Sequence, residues 1–167
     1  MMDRIICDAS PLIVLAKSYL LELLPGQFSE VIVPQAVVDE ILAGPLDDPM
    51  RRLISQIEWL KHVQIDPPLS PLGSWQLGRG ESEVIEYARL QRNCAVLMDD
   101  RAARRAAIAI GINTYGTLSI IAKAAHQGRI KSFSEAVEAL KEAGLYLKGD
   151  VIEKVKKGIH EKRVTKS

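Results

Sequence analysis

Short apolar strands alternate with helical segments along most of this chain of 167 residues. Such alternation is typical of a parallel sheet with helices on both faces, because parallel neighbours need a long crossover connection. We therefore predict an α/β fold, a three-layer α/β/α sandwich around a central parallel sheet. The predicted strands are 4–7, 30–33, 63–65, 95–98 and 112–115.

The helices are predicted from caps, apolar spacing and chain breakers. Ser10 is expected to cap the first helix, and Pro34 to begin the second. Ser132 and Glu135 form the capping-box pattern that starts another. Further helices are expected at 47–59, 81–92, 101–110, 117–127 and 151–159. Residues 66–80 are rich in proline, glycine and serine and are predicted to form a long loop.

Length and composition favour a single domain with its own core. Hydrophobic residues make up 47% and charged residues 26%, which is ordinary for a globular protein. Apolar runs are far shorter than the roughly 20 residues that span a membrane, and the first residues lack a signal-peptide pattern. We expect one domain over 1–167, with its core to about residue 130 and 131–167 forming a helical extension with a basic tail. The expected location is the cytoplasm, with no membrane partner.

Cysteine and histidine usage argues against a zinc site. Cys7 and Cys94 both lie in apolar runs and are expected to be buried and reduced. The three histidines are scattered without the spacing of zinc ligands.

Acidic side chains follow the predicted strands. Asp8 comes directly after the first strand, and Asp99, with Asp100 beside it, follows the fourth. Glu40 lies in the helix after the second strand, and Glu81 begins the helix after the long loop. Because ligands gather at the carboxyl ends of parallel strands, we expect these acids to share one crevice.

Each acid taken alone also has a structural explanation. Asp8 and one of the pair at 99–100 could cap the helices that follow them. Glu40 could be a solvated helix residue, and Glu81 would be stabilised in a first helical turn by the helix dipole. As a set they are harder to explain, since two unit charges 4 Å apart repel by about 4 kcal/mol near a protein surface. Mg²⁺ or Mn²⁺ would relieve this repulsion, and such oxygen sites serve phosphodiester hydrolysis.

Other sites built on acids or phosphate loops fit less well. Ser10 stands where an Asp-x-Asp phosphatase would need its second acid, and Asp8 lacks the acidic neighbour of a receiver domain. The chain has no G-x-x-x-x-G-K-[ST] loop, and residues 78–83 lack the third glycine of a dinucleotide-binding loop.

Basic and apolar residues suggest binding partners. Arg101, Arg104 and Arg105 follow the acids at 99–100 at helical spacing and could contact phosphate oxygens. A solvated helix face, or salt bridges to the acids, would explain them equally well. The net charge of +1 means that nucleic acid would have to bind a local patch. Apolar residues at Leu20, Leu23 and Leu24, with the segment 69–77, are a hint of a dimer or a protein partner.

Five stretches together resemble the PIN-domain family: "CDASPLIVL", "VPQAVVDEI", "GRGESEVIEYA", "AVLMDDRAARRAAIAIGI" and "TYGTLSIIAKAAHQGRI". The last three are most similar to a prokaryotic subgroup of PIN-like proteins. The resemblance covers about residues 4–145, and it rests on the order and spacing of the motifs. It implies a PIN-like fold with metal-dependent ribonuclease activity, and many members of the family are toxins of toxin–antitoxin pairs.

The resemblance also implies roles for individual residues. The positions that match the family's metal-binding acids are Asp8, Glu40, Glu81 and Asp99, with Asp100 as the alternative to Asp99. Glu81 stands where many relatives have aspartate. Ser10 matches a hydroxyl residue that would steady Asp8 or a bound water. The three arginines would then be the substrate-binding residues.

The function that follows is an Mg²⁺- or Mn²⁺-dependent endoribonuclease acting on RNA. As a toxin it would have a small antitoxin protein as partner, and the apolar residues suggest a homodimer. Two alternatives stay open. The fold could serve as a nucleic-acid or protein binding module without turnover, or the same acids could serve a small-molecule phosphohydrolase.

Overall fold

The computed structural model describes residues 4–65 and 77–165, with side chains as far as residue 159. Its centre is a sheet of five parallel strands in the order β3-β2-β1-β4-β5. The strands are β1 (Arg4–Cys7), β2 (Val31–Pro34), β3 (Leu60–Val63), β4 (Cys94–Leu97) and β5 (Thr114–Tyr115). The predicted parallel sheet is confirmed.

Helices connect the strands and continue beyond the last one. They are α1 (Ala9–Lys17), α2 (Leu23–Gln27), α3 (Gln35–Leu42), α4 (Pro49–Leu53), α5 (Arg79–Leu90), α6 (Arg101–Ala109), α7 (Thr117–His126), α8 (Phe133–Glu142) and α9 (Gly149–Thr165). The arrangement is a three-layer α/β/α sandwich, as predicted. None of the described helices combines the length and apolar composition needed to span a bilayer.

The core is built around the three inner strands. Residues of β2 and β4 are buried throughout, and β1 is buried from Ile5 onward. Such unbroken burial is expected when helices cover both faces of a sheet. Cys7 and Cys94 are buried and form no disulfide, which confirms their prediction as core residues.

The cap of the first helix is the one that explained Asp8 structurally, and the prediction of a Ser10 cap is wrong. Asp8, and not Ser10, is the N-cap, and its Oδ1 accepts a hydrogen bond from the Ala9 amide at 2.9 Å. Ser10 is the second residue of α1 and is exposed. The chain passes from β1 into the helix with no spacer, so the residue directly after the strand becomes the cap.

Two elements between β2 and the long loop were also predicted wrongly. The helix expected at 47–59 is limited to α4, and the strand expected at 63–65 begins at Leu60 instead. Pairing of Leu60 with Val31 buries that leucine, a tertiary contact that helical periodicity does not reveal. Helix α2 was not predicted, because Pro25 and Gly26 disfavour a helix.

The C-terminal helices and the leucines near α2 agree with their predictions only in part. Helix α9 is longer than the predicted 151–159, whereas the Ser132 cap of α8 is confirmed by a hydrogen bond from the Glu135 amide. Leu24 is fully buried, so it offers no surface for a partner, while Leu20 and Leu23 are partly buried. Residues 66–76 of the predicted loop lie outside the described part of the chain, and Arg79 and Gly80 already belong to α5.

Candidate active site

The two acidic strand ends meet where the direction of the sheet reverses. From the central β1 the chain builds β2 and β3 on one side, then β4 and β5 on the other. Cys7 pairs with Leu97, and the Asp8 amide donates to the Leu97 carbonyl at 2.9 Å. Such a reversal leaves a crevice at the carboxyl ends of the neighbouring strands, where ligands of open α/β sheets bind.

A cavity of about 1050 Å³ opens at this crevice, and we call it the acidic cavity. It brings together every carboxylate that the sequence singled out, and Ser10 lies at its wall. Carboxylates outnumber cations in its lining, which contains Asp8, Asp39, Glu40, Glu81, Asp99 and Asp100 against Arg79 and Arg101. This excess of negative charge is costly without a compensating cation.

Asp8 is the most buried of the acids in the cavity, with 6% of its surface exposed. Burial raises the pKa of its carboxyl to about 7, the Ala9 amide opposes the rise, and the charges of Glu81, Glu40 and Asp100 add to it. The Asp8 carboxyl is therefore partly protonated near neutral pH, and a cation at the site would favour its charged form.

Gly80 allows α5 to approach the acids closely. A Cβ atom at this position would lie 3.0 Å from Glu40 Oε2, 3.2 Å from Val37 Cγ2 and 3.8 Å from Asp8 Oδ1. The two carboxylates thus converge on one point beside the helix. From the sequence, this glycine was interpreted only as a turn into the helix.

Glu81 is half-buried in the first turn of α5, where its Oε2 accepts a hydrogen bond from the Gly78 amide at 3.3 Å. Burial is the main cause of a raised pKa for this carboxyl; the Gly78 amide opposes it, and the charges of Asp100 and Glu40 add to it. Glu81 therefore belongs to the same electrostatic cluster as Asp8.

The neighbours Asp99 and Asp100 have different partners. Asp99 Oδ1 accepts a hydrogen bond from the Thr117 amide at 2.8 Å, and Oδ2 accepts one from the Thr117 hydroxyl, so Asp99 is tied to the start of α7. Asp100 caps α6 through the Ala103 amide at 2.9 Å. The charge of Asp100 is among the causes that raise the pKa of Asp8 and Glu81.

The three arginines of α6 take different positions. Arg101 is exposed and lines the acidic cavity, whereas Arg105 is exposed and does not line it. Arg104 is half-buried and points at Gly116, where its Nη1 would lie 2.9 Å from an added Cβ. Within the described residues no carboxylate lies within 4.0 Å of these guanidinium groups, so the salt-bridge interpretation is not supported.

The acids of the cavity fit a hard divalent cation, because each of them offers carboxylate oxygens as ligand atoms. In this conformation no three His, Cys, Asp or Glu side chains of the described residues are arranged as metal ligands. Glu40 and Asp100 are both exposed, but the Asp100 carboxylate is held by its hydrogen bond from the Ala103 amide.

Four residues of the site were missed in the sequence. Asp39 and Arg79 line the acidic cavity next to residues that were singled out, so adjacency was the only available signal. Tyr146 lines it from the segment after α8, far away in the sequence. Glu83 does not line the cavity. It is buried, and its Oε2 accepts a hydrogen bond from the Ala36 amide at 3.0 Å.

Glu83 is expected to hold α3, which carries Glu40, against α5. Pro34 precedes α3 and makes no side-chain cap, so the Glu83 carboxylate takes that place. We expect Glu83→Ala to lower the free energy of unfolding by about 1–3 kcal/mol, because the buried Ala36 amide loses its acceptor. Chemical denaturation measures this loss. Glu83→Gln keeps an acceptor and is the control, and an equal loss in both variants would contradict the explanation.

Comparison with known families identifies the fold. The family model DUF3368, a PIN domain, matches residues 4–161, which is most of the chain. A comparison with curated proteins gives no match. PIN domains are generally nucleases and typically use divalent metals, so the match indicates a nuclease-type fold and suggests nucleic-acid binding. The extent of the match shows that this chain belongs to the PIN-domain family.

Proposed function

We propose that this protein is an Mg²⁺- or Mn²⁺-dependent endoribonuclease that hydrolyses phosphodiester bonds of RNA. The observation that carries the proposal is the convergence of Asp8, Glu40 and Glu81 with the acids after β4 in one cavity. The cavity lies at the reversal of strand order in a fold whose members are generally nucleases. A bare cluster of this charge would be unfavourable, which supports a cation as its natural occupant.

The residues that would hold the ion are Asp8, Glu40, Glu81 and Asp99, with Asp100 as a further ligand. Both Asp99 and Asp100 line the cavity together with Asp8, Glu40 and Glu81. A bound Mg²⁺ or Mn²⁺ supplies charge neutralisation at a phosphate and activation of water.

The chain's own groups position the RNA around this centre. The pKa of Asp8 is about 7 without metal, and a bound cation would favour the charged carboxylate, which is the form that would hold the ion. Ser10 presents an exposed hydroxyl to the cavity and would orient a water or a phosphate oxygen. Arg101 would bind phosphate at the cavity wall, with Arg104 and Arg105 placed further along α6.

The proposal extends to the cellular role that many PIN domains have. The protein would act in the cytoplasm as the toxin of a toxin–antitoxin pair, with a small antitoxin protein as its inhibitor. This part is supported by the resemblance of the motifs alone. A homodimer would bury the apolar surface of Leu20 and Leu23, which are partly buried in the single chain. Light scattering would measure the oligomeric state.

One observation favours a second candidate function. Because no three carboxylates of the described residues are arranged as metal ligands, the fold could bind RNA or protein without turnover. Metal-dependent cleavage separates the two candidates, since a binding module would leave RNA intact.

The deciding experiment compares RNA cleavage by Glu81→Gln with that of the unchanged protein. Both are purified free of metal and then given Mn²⁺. We expect the substitution to lower the cleavage rate by at least about tenfold, because even groups that only orient metal ligands contribute about 10–100-fold. The glutamine keeps an oxygen for the Gly78 amide, so the loss would not arise from an unfolded helix.

The control is Glu138→Gln, which removes one negative charge from an exposed residue of α8 that pairs with Lys141. It should cleave as the unchanged protein does. Equal cleavage by Glu81→Gln and Glu138→Gln would contradict the assigned site, and absence of Mn²⁺-dependent cleavage in every form would favour the binding module.

A further inference from the structure

A second cavity of about 520 Å³ adjoins the acidic cavity between α6, α7, the segment after α8 and the start of α9, and we call it the adjoining groove. Asp99, Arg101, Leu145 and Tyr146 line both cavities. An extended ligand whose phosphate lies among the acids can therefore continue into the adjoining groove without leaving the surface.

The charge of the adjoining groove is opposite to that of the acidic cavity. Its charged residues are three cations, Arg101, Arg104 and Lys148, and one acid, Asp99. Three cations against one acid leave an excess of positive charge, and the Asp99 carboxylate also accepts two hydrogen bonds from Thr117. Such a groove attracts the phosphates of a nucleic-acid backbone.

Tyr146 presents an aromatic ring at the boundary of the two cavities. The residue is 82% exposed, whereas its neighbours Leu145 and Leu147 are partly buried and pack against the core. The two leucines thus anchor the backbone, and the ring projects where it contributes nothing to the core. An exposed ring beside cations is the combination on which unpaired bases stack.

We propose that the adjoining groove is a nucleotide subsite for single-stranded RNA, in which the base next to the scissile phosphate stacks on Tyr146. Arg101 and Lys148 bind the adjacent backbone phosphates. The subsite rests on the proposed nuclease function, because it takes the acidic cavity as the place of the scissile phosphate. A duplex is disfavoured, since its paired bases already stack on one another.

The test measures binding of a fluorescently labelled single-stranded oligoribonucleotide by anisotropy. Ca²⁺ replaces Mn²⁺, and gel electrophoresis verifies that the RNA stays intact. Loss of one stacked base lowers affinity by about fivefold to 150-fold, so Tyr146→Ala should raise Kd by at least about fivefold. Tyr146→Phe keeps the ring and should bind as the unchanged protein does. Binding of a duplex of the same sequence should not change in Tyr146→Ala.

The matched control is Tyr19→Ala, which removes the other highly exposed tyrosine, 96% exposed. Tyr19 follows the C-terminal end of α1, a helix that begins at the acidic edge of the sheet and runs away from it. Its removal should leave Kd unchanged. Unchanged binding by Tyr146→Ala, an equal loss in Tyr146→Phe, or no RNA binding by the unchanged protein would overturn the subsite.

Cleavage in Mn²⁺ separates the failure of the subsite from that of the nuclease function. In Tyr146→Ala we expect KM for single-stranded RNA to rise by a similar factor with kcat nearly unchanged, because the ring lies outside the cluster of acids. Cleavage with unchanged KM would overturn the subsite while the nuclease function stands. Tyrosine-dependent binding without any cleavage would remove the nuclease function and leave the groove as an RNA-binding site.

Discussion

In the absence of divalent metal at pH 8, Asp8→Asn should be more stable than the unchanged protein, by as much as about 4 kcal/mol. The pKa of Asp8 is about 7, so above this pH the folded protein must keep its charged carboxylate buried beside other acids. Asparagine has the same shape and carries no charge, and its oxygen can still accept the Ala9 amide hydrogen bond. Chemical denaturation of both proteins at several pH values measures the difference.

The direction of the pH dependence follows from the two states of Asp8. In the unfolded chain the carboxyl has its ordinary pKa of 3.8, while in the folded protein the pKa is about 7. Between these values the folded state holds a proton that the unfolded chain has released, so stability falls as pH rises from about 4 to 7.

The difference between the two proteins isolates Asp8 from the other titrating groups. It should be small below about pH 4, grow up to about pH 7 and then stay constant. A difference that is independent of pH, or that grows toward acid, would contradict a raised pKa in the metal-free protein.

Mn²⁺ should stabilise the unchanged protein by about 2.7 kcal/mol when its concentration is a hundred times Kd, because an ion that binds only the folded state adds to stability by mass action. The gain should increase with pH up to about 7, since Asp8 must lose its proton to bind the ion. Thermal unfolding at a series of Mn²⁺ concentrations measures it. Asp8→Asn should lose most of the gain together with RNA cleavage.

Asp47→Asn is the matched control for the metal experiment. Asp47 is exposed and does not line the acidic cavity, so its variant should respond to Mn²⁺ as the unchanged protein does. An equal rise in the melting temperature of Asp8→Asn would place the ion elsewhere. No rise in the unchanged protein would contradict a metal site at these acids.

Together these two predictions describe a site that lowers stability until it is occupied. Asp8 lies buried among other acids, which favours the binding of a cation. The same surroundings make its charged form unfavourable when no cation is bound. The substitution that stabilises the metal-free protein is therefore also the one that should abolish its proposed activity. Such trade-offs between stability and function are common at active sites.

Local patterns in the sequence were enough to predict the architecture. The first strand, Arg4–Cys7, matches its prediction, and the helices over 81–92, 101–110 and 117–127 differ from it by two residues or fewer at each end. These elements combine clear apolar periodicity with recognisable breakers, both of which act over a few residues. Asp8 and Asp99 were expected to share a crevice if their strands were neighbours, and β1 and β4 do lie side by side.

The tertiary structure decided how the site is organised. Asp99 accepts hydrogen bonds from Thr117, whereas the charge of Asp100 contributes to the raised pKa of Asp8 and Glu81. Asp99 and Asp100 are nevertheless adjacent in the sequence. The tertiary structure also supplied the Glu83 cap of α3 across the fold, and it placed Tyr146 at the wall of the acidic cavity.

By itself, then, the sequence determined a parallel α/β sandwich with acids at one edge, because periodicity, caps and strand ends are properties of neighbouring residues. Only the tertiary structure decided which carboxylates raise one another's pKa, how close α5 comes to Glu40 at Gly80, and that Tyr146 lines the cavity. These features depend on distances between side chains remote in the chain, and on burial that exists only once the helices have packed on the sheet.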